Sequence, residues 1–147
     1  MSRPVKPLTE AEKELWHALK KLSEVGLAAV GSAIESATGL SGADFGILSR
    51  LEDLGDGVLP QQELQLSLGW DRSRLSHQLT RMEGRRLLQR QNAGSGRRVN
   101  IKIQRSGRET LAAARPIHAA AIREHILRHI GTKEAELIVR LVREIEA

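Results

Sequence analysis

The sequence predicts a mainly α-helical chain with a minor β component, and three observations predict it. Apolar residues recur at three- and four-residue spacing through most of the 147 positions. Capping signals punctuate that pattern: Thr9 with Glu12, Ser41 with Asp44, and Ser106 with Glu109. One stretch changes period, because Val99, Ile101 and Ile103 alternate with Arg98, Asn100 and Lys102, the signature of a half-buried strand.

The elements follow in order. A first helix opens at Thr9 and carries Leu15, Leu19, Leu22, Val30 and Ile34 on its apolar stripe; Thr38-Gly39 ends it. A second opens at Ser41, with Ile47, Leu48, Leu51 and Leu54 as its apolar face, and Gly55-Asp56-Gly57 breaks it. Pro60 suits the first position of a short third helix, anchored by Leu64 and Leu68, and Gly69 makes a tight turn. The fourth runs from about Arg72 to Arg85, with Leu75, Leu79 and Met82 on one side. Two helices joined by a glycine-containing turn form a helix-turn-helix. The segment Leu88–Ile103, interrupted by Asn92-Ala93-Gly94-Ser95-Gly96, reads as a β-hairpin with a basic tip, a wing. Ser106 opens a long helix to about Ile130, kinked at Pro116. Gly131-Thr132 caps a last helix bearing Leu137, Ile138, Leu141, Val142 and Ile145.

Charge singles out the centre of the chain. The net charge is +5, but Trp70–Arg108 holds eleven basic residues against two acidic, a net of +9, ten of the eleven being arginine. The remainder carries −4. On a helical wheel, Leu75, Leu79 and Met82 cluster on the core side, while Arg74, His77, Gln78, Arg81 and Arg85 lie away from them and Ser73, Ser76 and Thr80 fill a polar face. An exposed face of arginine, histidine, glutamine and serine meets the needs of major-groove reading: arginine forks onto guanine, glutamine onto adenine, and hydroxyls reach bases or phosphates. Arg72, Ser73, Arg74, Ser76, His77, Gln78 and Arg81 are the candidate groove residues. Arg90, Arg97 and Arg98 on the wing are candidates for phosphate or minor-groove contact. The partner expected is double-stranded DNA.

Ser67–Arg90 (SLGWDRSRLSHQLTRMEGRRLLQR) and Gly94–Leu111 (GSGRRVNIKIQRSGRETL), in this order of elements, resemble the MarR family of winged helix-turn-helix transcriptional regulators. The resemblance is strongest over residues 41–111; the outer helices match in length and order. It implies a homodimer, with residues 1–40 and 107–147 as a helical dimerisation region and 41–106 as the winged helix-turn-helix DNA-binding domain. It also implies repression of nearby genes and release by a small-molecule effector, with Trp16 a candidate ligand-binding residue. This chain departs from the family pattern in places. Ser95-Gly96-Arg97 stands where an Asp-x-Arg is usual, implying a less rigid wing, and Ile103-Gln104 stands for Leu-Thr. Arg86 occupies the position of the glycine that commonly ends the recognition helix, implying a frayed or altered helix end.

Other chemistry is sparse. Without cysteine there is no disulfide, thiol catalysis or cysteine zinc site. No nucleophile–base pair, carboxylate pair or phosphate loop stands out, so neither enzyme activity nor a cofactor is expected. Only Trp16, Phe45 and Trp70 are aromatic, too few for stacking on single strands. Trp70 reads as an anchor between recognition helix and core. His125 and His129, spaced i, i+4, are weak metal candidates. His118 falls near the expected kink and packs there or titrates near neutral pH. With no run of about 20 apolar residues and no apolar N-terminal stretch, a soluble cytoplasmic chain without membrane contact is expected. The alternatives are a winged ligand- or protein-binding module that has lost DNA binding, and a metal-responsive regulator.

Overall fold

The computed structural model describes residues 5–92, 94, 96 and 98–147. Helix α1 spans Glu10–Thr38 and opens on the expected capping box: the Glu12 amide donates to Thr9 Oγ1 (3.2 Å) and the Thr9 amide to Glu12 Oε2 (2.7 Å). The bond from the Thr9 amide, and secondly the Thr9 hydroxyl, hold the Glu12 carboxyl below its ordinary pKa. Helix α2 spans Gly42–Gly55, with the Ser41–Asp44 box at its start and Asp56 in the left-handed region at its end.

Strand β1, Val58–Pro60, was not foreseen. It pairs antiparallel with β3, Leu59 opposite Ile101, and three residues are too few to show alternation. Pro60 consequently caps helix α3 (Gln61–Leu68) from the strand end instead of filling its first turn. Gly69 turns the chain in a left-handed conformation, φ 66°, that glycine adopts without strain. Helix α4 spans Arg72–Gly84. Strands β2 (Leu88–Asn92) and β3 (Val99–Ile103) form the hairpin, giving a sheet of order β1-β3-β2.

Helix α4 ends cleanly, against expectation. The Arg86 amide donates to the Glu83 carbonyl (3.0 Å) and the Leu87 amide to the Met82 carbonyl (3.1 Å). These are the two bonds of a Schellman motif, and buried Leu87 and Met82 occupy its apolar-contact positions. Arg86 takes the left-handed position at φ 60°, where a glycine would sit without a Cβ penalty.

Helix α5 spans Arg105–His125, unbroken across Pro116. Its start differs from the expected Ser106–Glu109 box. Gln104 is the cap residue, Ser106 Oγ donates to the Arg86 carbonyl (2.6 Å), and Glu109 pairs with Arg105 (2.8 Å). Gly107 explains the arrangement: a Cβ there would run into the Leu87 carbonyl oxygen, which already accepts from the Gln104 amide. Helix α5 also stops short of Ile130. Ile126 leaves the helical region and lies over Gly26 of α1, and a 3-10 turn at Leu127–His129 leads to α6, Thr132–Glu146.

The core lies inside the winged lobe and its junction with α1 and α5. Ile34, Leu40, Ile47, Leu48, Leu51, Leu64, Leu75, Leu79, Met82, Leu88, Ile101 and Leu111 are fully buried. The N-terminal half of α1 and all of α6 bury nothing. Among the described residues no helix is long and apolar enough to cross a membrane.

Candidate nucleic-acid interface

Helix α4 is built to show one face. Asp71 Oδ1 accepts the Arg74 amide (2.8 Å), satisfying a first-turn donor and setting where the helix begins. Leu75, Leu79 and Met82 then pin the opposite face to the core. Arg72, Ser73, Arg74, His77 and Arg81 are exposed, and Ser76 is half-buried. The Arg74 guanidinium lies over the Trp70 ring, 3.9 Å from its centroid. Trp70 itself is half-buried against the core, as the anchor reading expects.

Gln78 departs from the exposed face assigned to it. It is buried, and its Nε2 donates to Asp44 Oδ1 (2.7 Å) while its Oε1 accepts from Arg81. Asp44 is buried at 1% exposure. Its Oδ2 accepts the Ser41 amide (3.0 Å) and the Arg85 guanidinium (2.6 Å), and Arg85 also donates to the Gly39 carbonyl (2.9 Å). Asp44 and the Arg85 it holds thus join the end of α1, the start of α2 and the second half of α4. The sequence showed Asp44 only as a helix cap. The wheel held one hint, since Gln78 borders the apolar stripe. Its partner lies 34 residues away and was not visible. An open cleft of about 380 Å³ adjoins this network, lined by Glu35, Gly39, Ser41, Asp44, Gln78, Arg81 and Arg85.

Arg90 is also tied into the fold, not free at the wing. Its amide donates to Glu83 (2.8 Å), and its guanidinium donates to the Ser76 carbonyl (2.7 Å) and Thr80 Oγ1 (3.1 Å). It braces β2 against α4. Arg98 is exposed beside β3. Arg97 and Ser95 lie outside the described residues. Both acidic residues of the basic segment are engaged locally, Asp71 as a cap and Glu83 with Arg90. The exposed face of α4 therefore presents cations and donors.

The remaining candidates sit elsewhere. Trp16 is exposed on α1 with Lys20 5.7 Å from its ring, and it does not line the cleft. His125 ends α5 and His129 lies in the 3-10 turn, so the two are not on one helical face; among the described residues no three His, Cys, Asp or Glu side chains cluster as metal ligands. His118 stacks on Phe45, ring centroids 4.3 Å apart. Burial, and secondly the charge of Arg115, push its pKa below 6.5.

No protein-family profile and no curated protein matches the chain. Solved structures do. AbsC, a MarR family transcriptional regulator from Streptomyces coelicolor, is 25% identical with a TM-score of 0.87, over 97% of this chain and 96% of that one. A second MarR family regulator from that organism, in complex with DNA, is 20% identical with a TM-score of 0.89, over 99% and 91%. BpsR of Bordetella bronchiseptica, described by the regulation of its DNA binding by 6-hydroxynicotinic acid, is 19% identical with a TM-score of 0.79, over 91% and 99%. The chain has the winged-helix fold of the MarR family.

Proposed function

We propose that this chain is a homodimeric transcriptional regulator of the cytoplasm, not an enzyme, that binds a pseudo-palindromic duplex operator and represses adjacent genes. The observation that carries the reading is the exposed cationic face of α4, held outward by a helix whose other side is sunk in the core. The DNA complex of a structural neighbour supports it.

Arg72, Ser73, Arg74, Ser76, His77 and Arg81 enter the major groove, and Arg97 and Arg98 meet the backbone or minor groove. Gln78, Arg85 and Arg90 act from within the fold by holding α4 and the wing at a set angle. Residues 1–40 and 107–147 supply the dimer base, supported by the apolar faces that α1 and α6 leave uncovered. Two-fold symmetry then places half-sites about one helical turn apart. A small-molecule effector releases the DNA, and a structural neighbour whose DNA binding is regulated by 6-hydroxynicotinic acid supports that step.

Selection of bound duplexes from a random pool, followed by affinity measurements across a salt series, tests the reading. A pseudo-palindrome should emerge, and Arg98→Ala should weaken all duplexes alike while reducing the log–log salt slope by about 1. A chain with no salt-dependent affinity for any duplex would be a winged binding module instead.

A further inference from the structure

We infer that Trp70 is a positioning residue for sequence reading: its ring holds the Arg74 guanidinium as a pre-oriented fork, making Arg74 the principal base-discriminating side chain of α4. The inference rests on the DNA-binding reading above and goes beyond it by ranking the exposed residues.

Three observations carry it. Trp70 is anchored from behind, half-buried against the core, and it sits immediately before the Asp71 cap. It occupies the first position of a hydrophobic staple whose second, four residues into the helix, is the fully buried Leu75. Its ring therefore has a fixed place relative to the start of α4. Arg74 covers that ring at 3.9 Å, the closest cation–ring approach among the described residues. Arg74 is exposed and has no acidic side-chain partner among the described residues, so its donors stay available to an incoming base edge.

The other exposed groups differ. Arg81 is directed toward Gln78, and Arg72 and His77 have no ring or side-chain partner among the described contacts. A free arginine loses rotamer freedom when it docks. One already stacked on an aromatic plane has lost much of it, so more of the bidentate contact appears as discrimination. Stacking also fixes the plane of the fork, which determines whether both nitrogens meet the two acceptors of a guanine.

The experiment uses the full-length chain, the duplex it selects from a random pool, every single-base-pair variant of that duplex, and a random duplex. Arg74→Ala should lower discrimination about tenfold or more at one base pair per half-site. Trp70→Leu, which keeps apolar bulk, should lower it two- to fivefold at that same base pair only. Neither Trp70→Leu nor Trp70→Phe should change the salt slope, and Trp70→Phe should retain most of the discrimination. In an Arg74→Ala background Trp70→Leu should add nothing at that position. Should Trp70→Leu not fold, Arg74→Lys carries the test: it keeps the charge, loses the planar fork, and should flatten the same base pair without altering the slope. A uniform loss across all positions, or no effect of Trp70→Leu on selectivity, overturns the inference while leaving DNA binding intact. A wild-type chain that selects no sequence overturns the DNA-binding reading and the inference together.

Discussion

The winged lobe and the two ends of the chain carry the same kind of apolar periodicity with opposite outcomes. In the lobe, Leu48, Leu64, Leu79 and Ile101 are each 0% exposed. At the ends, Leu15, Trp16, Leu19 and Leu22 of α1 and Leu137, Ile138, Leu141 and Val142 of α6 are 42–62% exposed, although their spacing is as regular. The lobe satisfies its own pattern because turns and a small sheet fold six short elements onto one another. Among the described residues, the N-terminal half of α1 and all of α6 bury no side chain against another element. An amphipathic helix whose apolar face meets no partner gives up most of its stabilisation, so regular spacing without burial points to a surface completed by another molecule. Charge does not follow this division: Trp70–Arg108 carries +9, the −4 of the remainder lies in residues 41–69 of the same lobe, and the two ends are neutral. A dimer joined through its ends would carry two such basic segments, about +18 between them.

The strongest way to break this comparison is to place a charge on the uncovered face. Leu141→Glu should convert the proposed dimer to monomer in sedimentation equilibrium and lower operator affinity at least about a hundredfold, because an unpaired buried carboxylate costs several kcal/mol. An unchanged dimer constant would mean that α6 is not covered by a second copy. Next in size is Asp44→Ala within the lobe. It removes a capping box, strands the Gln78 amide and frees Arg85, and should cost about 3 kcal/mol in urea unfolding. A loss under 1 kcal/mol would show the network to be ornamental.

Arg86→Gly should act in the opposite direction. The Schellman bonds and the carbonyl that accepts Ser106 are backbone groups and stay, while left-handed strain of about 1 kcal/mol is relieved. Tm should rise by about 3 °C. An unchanged or lower Tm would mean that the side chain contributes more than its backbone conformation costs. The smallest effect concerns His118. Its folded pKa lies below the unfolded value of 6.5, so its contribution to stability is complete above that pH and is lost as pH falls through the folded value. His118→Phe should therefore flatten the decline in stability as pH falls below 6.5, measured by urea unfolding; an identical slope would place the titration elsewhere.

Much of the fold was legible because its signals are local. Capping boxes at Thr9 and Ser41, the Gly69 turn and the alternation at Val99–Ile103 each involve residues within a few positions of one another, and each appears in place. The errors have one cause. Ser106 and Glu109 have capping spacing, yet Ser106 is drawn to the Arg86 carbonyl twenty residues away. Pattern alone continues α5 to Ile130, yet Ile126 packs on Gly26 from the far end of the chain. Strand β1 exists only because β3 lies beside it. In the candidate interface, composition marked a basic segment but could not sort its members. Arg85 on the wheel and Arg90 on the wing both look exposed, and both are engaged by partners in other elements.

The sequence by itself determined the helices, the turn, the hairpin and the place where positive charge gathers, because propensity, capping and charge density act over a turn or two of chain. Only the tertiary structure decided which arginines face outward and which brace the fold. That choice depends on groups farther off in sequence, a buried carboxylate at Asp44 for Arg85 and a carbonyl at Ser76 for Arg90, each of which fixes a guanidinium only when folding brings the two together.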